Sequence, residues 1–351
     1  MMSDQPPKRD FIEACYGRPV KRRPIWIMRQ AGRYQASYRA VRALHSFDEL
    51  CTTPELACKV TLQPVREFDL DAAILFSDIL TILPPMGLPV SFGDGGPKIT
   101  EPIRRPDQID HLFRLDPAEN VGFVLEAVRL IRKGLPPDVP LIGFAGAPFT
   151  LACYAIEGAT SREFAFARRF FFREPEAAQR LMAHLSEAVG DYLAAQIDAG
   201  ADAVQIFDSW GGVLSADDYR AWVFPHMKAL VNRVKRPGVP VIIYLNGTAH
   251  LVDVLSDTGC DVLSVDWRTN LTIATRVCKK QTALQGNLDP LALYAENAEI
   301  RARARSIIQK MDETRKGHIF NLGHGILPTT PEENLRVLVE TVHRLPPRDP
   351  Q

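Results

Sequence analysis

Two arginines four residues apart are the first residues in this chain that could do chemistry. Arg29 and Arg33, in Met28-Arg-Gln-Ala-Gly-Arg-Tyr34, would lie on one face of a helical turn. Each offers a planar fork suited to a carboxylate or phosphate, and Gly32 between them lets a ligand approach the backbone. A solvated helix start with surface ion pairs is the ordinary reading of such a pair, but its place directly after an apolar run favours a ligand. Asp78 stands in Leu75-Phe-Ser-Asp-Ile-Leu80, a carboxylate in apolar surroundings that needs donors close by. A helix cap or a core salt bridge accounts for it equally well. Ser77 has no G-x-S-x-G elbow around it and is not read as a nucleophile.

Three later residues complete the set. Tyr154, in Gly146-Ala-Pro-Phe-Thr-Leu-Ala-Cys-Tyr154, reads as half-buried packing with a satisfied hydroxyl or as a hydrogen-bond donor to a ligand. Ser209, in Ile206-Phe-Asp-Ser-Trp210, suits a cap of the next helix as well as a ligand. His324, in Asn321-Leu-Gly-His-Gly325, is flanked by glycines and carries a side chain that titrates near neutrality. The four tryptophans, Trp26, Trp210, Trp222 and Trp267, read as core rather than as a stacking platform.

Something must bring these residues together, and the pattern around them says what. Short apolar runs at 24–29, 72–76, 141–145, 203–207, 241–245, 262–265, 283–285 and 319–322 alternate with amphipathic stretches at 54–68, 121–133, 175–199, 216–235, 249–258 and 299–315. Such alternation predicts a parallel sheet with helices outside it. Eight runs fit a single α/β domain over residues 1–351, a closed (β/α)8 TIM barrel, with short flexible termini at about 1–10 and 346–351. A doubly wound sheet would want a glycine fingerprint after the first strand, where this chain has Arg29-Gln-Ala-Gly-Arg33. The Pro- and Gly-rich stretch 79–103 predicts a hairpin-like excursion after strand 2, turning at Gly93-Asp-Gly-Gly96. Gly134, Gly200 and Gly259 are placed to end helices in the left-handed conformation, and Thr330 to cap the last one. In a barrel the chemistry collects where strands end, and Arg29, Asp78, Tyr154, Ser209 and His324 all lie at or after the end of a strand candidate.

Composition narrows the classes. Among 351 residues, 42 Lys and Arg balance 42 Asp and Glu, against the basic excess of a nucleic-acid binder. The most apolar stretch, 72–86, is interrupted by Asp78 and Pro84-Pro85 and falls short of the ~20 residues that span a bilayer. No secretory leader is evident, so the expected compartment is the cytoplasm. Six scattered cysteines form no CxxC and read as small core residues, and no metal-ligand spacing occurs.

The five motifs quoted, with Phe144-Ala-Gly-Ala-Pro-Phe-Thr150 and Gln205-Ile-Phe-Asp-Ser-Trp210 in full, closely resemble the uroporphyrinogen decarboxylases of bacteria, from about Arg18 to Arg344. The resemblance implies a TIM barrel, usually homodimeric with facing clefts, that uses no cofactor or metal. It implies removal of the four acetate carboxyls of uroporphyrinogen III as CO2, giving coproporphyrinogen III in haem biosynthesis. The family's substrate-contacting positions fall on Arg29, Gln30, Ala31, Gly32, Arg33, Asp78, Tyr154, Phe207, Ser209 and His324. Asp78, Arg29 and His324 are then the catalytic set: an anion for the pyrrole N–H groups, an electrostatic clamp, and a candidate proton donor. Two rivals stand beside this reading. A corrinoid methyltransferase shares the barrel but needs a zinc-binding His/Cys pattern, and a tetrapyrrole carrier would use the same cleft without chemistry.

Overall fold

The computed structural model describes residues 9–93, 96–314 and 316–345. Nine strands occur among these residues: β1 (Ala73–Ile74), β2 (Val90–Gly93), β3 (Gly96–Ile99), β4 (Leu141–Gly146), β5 (Ala203–Asp208), β6 (Val241–Leu245), β7 (Val262–Val265), β8 (Ala283–Gln285) and β9 (His318–Ile319). Seven of them form one parallel sheet in the order β1-β4-β5-β6-β7-β8-β9. Helices lie between successive strands, as parallel crossovers require. Strands β4 to β8 are buried at every position, as expected of a sheet covered on both faces. The separate hairpin β2–β3 pairs Val90 with Ile99 and Gly93 with Gly96, so the expected excursion is present; its tip, Asp94-Gly95, lies outside the described residues, as do most of the termini expected to be flexible.

The eighth stave differs from expectation in a way that bears on the site. Residues 24–29 do not form a strand; Ile25 makes one parallel bridge to Phe320. Phe320 N donates to Pro24 O at 2.8 Å and Asp71 N to Ile25 O at 2.9 Å, which ties the segment to β9 on one side and to the approach of β1 on the other. The ring closes there as a (β/α)8 barrel. The reason for the missing ladder is that side chains take the backbone donors. Ile25 N donates to Asp71 Oδ2, Ile27 N to Gln30 Oε1 and Met28 N to Asn321 Oδ1.

Inside the barrel a polar layer links staves distant in sequence. Trp26 Nε1 donates to Gln285 Oε1 at 2.8 Å, and Gln285 Nε2 donates to Gln205 Oε1 and Ser264 Oγ. Each member is buried, so the pairing offsets a desolvation cost that an unmatched amide would carry in full.

Smaller corrections concern helix ends. The stretch 216–235 is two helices, Ala216–Trp222 and Phe224–Val234, with Pro225 opening the second. Gly200 and Gly259 adopt positive φ as expected, but Gly134 stays within its helix. Its missing Cβ instead makes room for Leu62 Cδ1, which would lie 2.8 Å away. Pro331, not Thr330, holds the cap position of Glu332–Arg344.

Candidate active site

Three carboxylates stand at or just beyond barrel strand ends, and their surroundings separate them. Asp208 is wholly buried and accepts from Thr150 Oγ1 (2.8 Å), Tyr219 OH (2.9 Å) and Gly211 N (3.2 Å). Asp266, also wholly buried, accepts from Thr269 Oγ1 (2.7 Å), Gly247 N (3.1 Å) and Arg268 Nε (2.6 Å). Both hold loops in place. Asp78 is different: Oδ1 accepts from Leu80 N at 2.8 Å, and Oδ2 has no partner among the described residues. Burial raises its carboxyl to about 6, against the pull of the Leu80 N–H and the Arg29 cation. A carboxylate short of donors, poised near neutrality in a partly closed setting, is equipped to meet a ligand rich in N–H groups.

Arg29, at the end of the first stave, lies near enough to this carboxylate to act on it electrostatically. The expected helical turn is absent; Arg29 has φ 64 and starts a turn that leads into the helix Ala36–Arg42. Such a conformation is uncommon for a residue with a Cβ, and neighbouring contacts hold it. Ile326 N donates to Met28 O at 3.0 Å, joining this turn to the loop after β9. Gly325 in that loop gives the Arg29 stem its path: a Cβ on Gly325 would sit 2.4 Å from Arg29 Cδ. His324 therefore shares the site with Arg29. Burial and the Arg29 charge together push its imidazole down to about 4. At pH 7 it is neutral, able to donate one hydrogen bond and accept another, and it does not store the proton that a near-neutral value would imply.

The other positions divide. Gln30 is buried, and its side chain accepts from Ile27 N and donates to Ala72 O; it braces the turn. Its own carbonyl accepts from Tyr34 OH. Ala31 and Gly32 are half-buried, with Gly32's missing Cβ facing Arg29 O at 3.1 Å. Arg33 is exposed and acts electrostatically on Tyr38. Tyr154 is buried in the helix Pro148–Glu157, its hydroxyl 3.4 Å from Thr160 Oγ1 and its ring edge-on to Trp210 and Phe164. Ser209 is half-buried and caps no helix; Ser215 caps the next one, accepting from Asp218 N.

Phe207, on β5, belongs to an aromatic arc the sequence reading only partly found. Phe144 on β4 meets it edge-on at 5.5 Å and Tyr244 on β6 at 5.7 Å. Tyr244 then lies 6.4 Å from His324, and Trp267 lies 6.1 Å from the same ring. Tyr244 OH donates to Gly323 O at 3.2 Å, fixing the histidine loop from below. The available signal is register: Tyr244 lies on β6 directly beside Phe207 on β5. Trp267 is 36% exposed, so it is not the core residue expected.

Among the described residues no three His, Cys, Asp or Glu side chains gather as a metal site, and no helix is long and apolar enough to cross a membrane. All six cysteines are free thiols, five of them buried.

Comparison with known proteins gives one family. The uroporphyrinogen decarboxylase (URO-D) model matches residues 6–345. A uroporphyrinogen decarboxylase of Trichlorobacter lovleyi is 48% identical, covering 96% of this chain and 99% of that one; another, of Chloroflexus aurantiacus, is 50% identical over 96% of each. Among solved structures, a methyltransferase from Methanosarcina mazei superposes with TM-score 0.79 at 22% identity, over 95% of this chain and 97% of that one. At that identity the likeness speaks for the barrel alone.

Proposed function

The chain belongs to the uroporphyrinogen decarboxylase family and is a carboxy-lyase of porphyrin biosynthesis, and from that premise we propose how its own residues carry the reaction. The substrate is uroporphyrinogen III, whose four acetate arms lose CO2 to give coproporphyrinogen III. Decarboxylation needs a sink for the electron pair of the breaking carbon–carbon bond. A pyrrole supplies one: a proton added to a ring carbon makes the ring cationic, and loss of CO2 returns the pair to the ring as an exocyclic methylene. Protonation of that methylene, with loss of the ring proton, leaves methyl. No cofactor is required by this balance.

Asp78 is the anion on which the pyrrole N–H groups converge, and the observation that carries this role is an Oδ2 with no donor among the described residues, where Asp208 and Asp266 each accept three. Its hold tightens as the ring gains charge, so it stabilises the transition state more than the ground state. Arg29 pairs with an acetate carboxylate while keeping Asp78 ionised. Arg33, nearer the exterior, engages a carboxylate arm. Neutral His324, Tyr154 and Ser209 orient arms by hydrogen bonds, with Ala31 and Gly32 offering backbone and Phe207 an apolar face. The ring proton comes from water or a substrate carboxylic acid, since His324 is uncharged at neutral pH.

We also read the working protein as a cytoplasmic homodimer, following the family resemblance. Exposed Ile273, Val277 and Leu291, on neighbouring segments after β7 and β8, support a self-association face. Anaerobic incubation with uroporphyrinogen, then oxidation and chromatography, tests the activity. Porphyrins with seven down to four carboxyls are expected; an unchanged octacarboxylate would leave only a carrier.

A further inference from the structure

Uroporphyrinogen carries eight carboxylates, and the arginines already placed answer two of them. A third guanidinium stands after β7, beside the same histidine loop. Arg268 follows β7, with Nε donating to buried Asp266 at 2.6 Å and Nη2 donating to Asn246 Oδ1 at 2.5 Å. Its guanidinium lies 4.6 Å from the Trp267 ring centroid, its side chain is 52% exposed, and Nη1 has no partner among the described residues. Trp267 in turn meets His324 edge-on, so the segment borders the reacting site.

The loop beneath is unusually well braced. Asn287 Nδ2 donates to Asp266 O and Thr269 O, both at 2.8 Å. Gly323 lets Trp267 close up against the histidine loop, since a Cβ there would lie 2.2 Å from Trp267 N. An arginine that only balanced Asp266 would not need its second nitrogen fixed by Asn246 and its third left free. Holding the fork in advance removes most of the side-chain ordering that binding otherwise demands.

We propose that Arg268 is a further substrate-binding residue, whose free Nη1 edge receives one peripheral carboxylate of the tetrapyrrole while Trp267 covers the adjoining apolar face. This rests on the decarboxylase reading above and extends it to the rim of β7. Because Asp266 already offsets the charge, the gain comes from a directional hydrogen bond rather than from long-range attraction. A loss of roughly tenfold in affinity is expected when it is removed.

The test is Arg268→Gln in the full-length protein, with Asp266 still held by Thr269 and Gly247. Binding of uroporphyrinogen is followed anaerobically by tryptophan quenching, so the readout does not depend on turnover. KM and kcat are measured alongside. Expected are a roughly tenfold rise in Kd and KM with kcat within about twofold, and partial rescue by Arg268→Lys. Arg129→Gln, at an exposed arginine paired with Glu126 on the helix Gly122–Gly134, should change neither. Unchanged Kd in Arg268→Gln, or a fall in kcat alone, would overturn the assignment. Tight wild-type binding without decarboxylation would instead defeat the activity and leave this contact standing.

Discussion

Asparagine at position 78 would separate what the aspartate does for the reaction from what it does to the fold. Asp78→Asn keeps the shape and an oxygen for the Leu80 N–H, which now donates at 2.8 Å. Burial raises the native carboxyl from 3.8 to about 6, and each pH step of that displacement corresponds to roughly 1.4 kcal/mol. Keeping Asp78 ionised at neutral pH therefore costs the folded state up to about 3 kcal/mol. The sign follows from proton binding. Between about pH 4 and 6 the native chain holds a proton that the unfolded chain has released, so this group's contribution is complete below the window and is lost as pH rises through it. The asparagine variant has no such loss. It should be more stable than wild type by about 1–3 kcal/mol above pH 7, with the gap closing towards pH 4. Its turnover should fall by roughly 10²–10³-fold, the usual consequence of removing an electrostatic stabiliser. Urea denaturation from pH 4 to 8 on both proteins, paired with anaerobic turnover, measures both effects. A gap that ignores pH, or a variant weaker than wild type at pH 8, would make Asp78 an ordinary structural carboxylate. Near-normal turnover would remove it from the chemistry.

Gly325→Ala should displace the Arg29 stem, whose Cδ would lie 2.4 Å from the new methyl; turnover should drop at least about tenfold with urea stability nearly unchanged, and retained turnover would show that Arg29 needs no such path. Arg29→Met should raise the His324 midpoint from about 4 towards the ordinary 6.5, read by NMR titration of the imidazole; an unmoved midpoint would place Arg29 too far away to act. Tyr219→Phe should destabilise the fold by about 1–3 kcal/mol, because buried Asp208 Oδ2 loses its donor, and an unchanged urea midpoint would refute that bond's structural weight.

How far the sequence disclosed the molecule depended on what each signal measured. Apolar runs marked β4 to β8 to within a residue, because strands buried on both faces must be apolar throughout. The first stave shows the limit of that signal: Pro24–Met28 is apolar and buried, but side chains from Asp71, Gln30 and Asn321 take its donors, and those partners are remote or look like ordinary polar residues. Position after a strand is the signal that marks Asp78 and His324, both of which feel the Arg29 charge. It could not say that Asp208 and Asp266 are saturated while Asp78 is not, since that depends on Thr150, Tyr219 and Thr269 arriving from elsewhere. Arg268 carries no such signal, because its placement depends on bracing by Asp266 and Asn246 that no local pattern encodes.

The way the ring closes also bears on synthesis. Arg29 lies near the start of the chain, yet its stem rests on Gly325 and its turn is pinned by Ile326 N–H to Met28 O. While the polypeptide is emerging from the ribosome, Arg29 has nothing to lie against until the final stave follows it out. A nascent or prematurely terminated product thus lacks the contacts that seat Arg29.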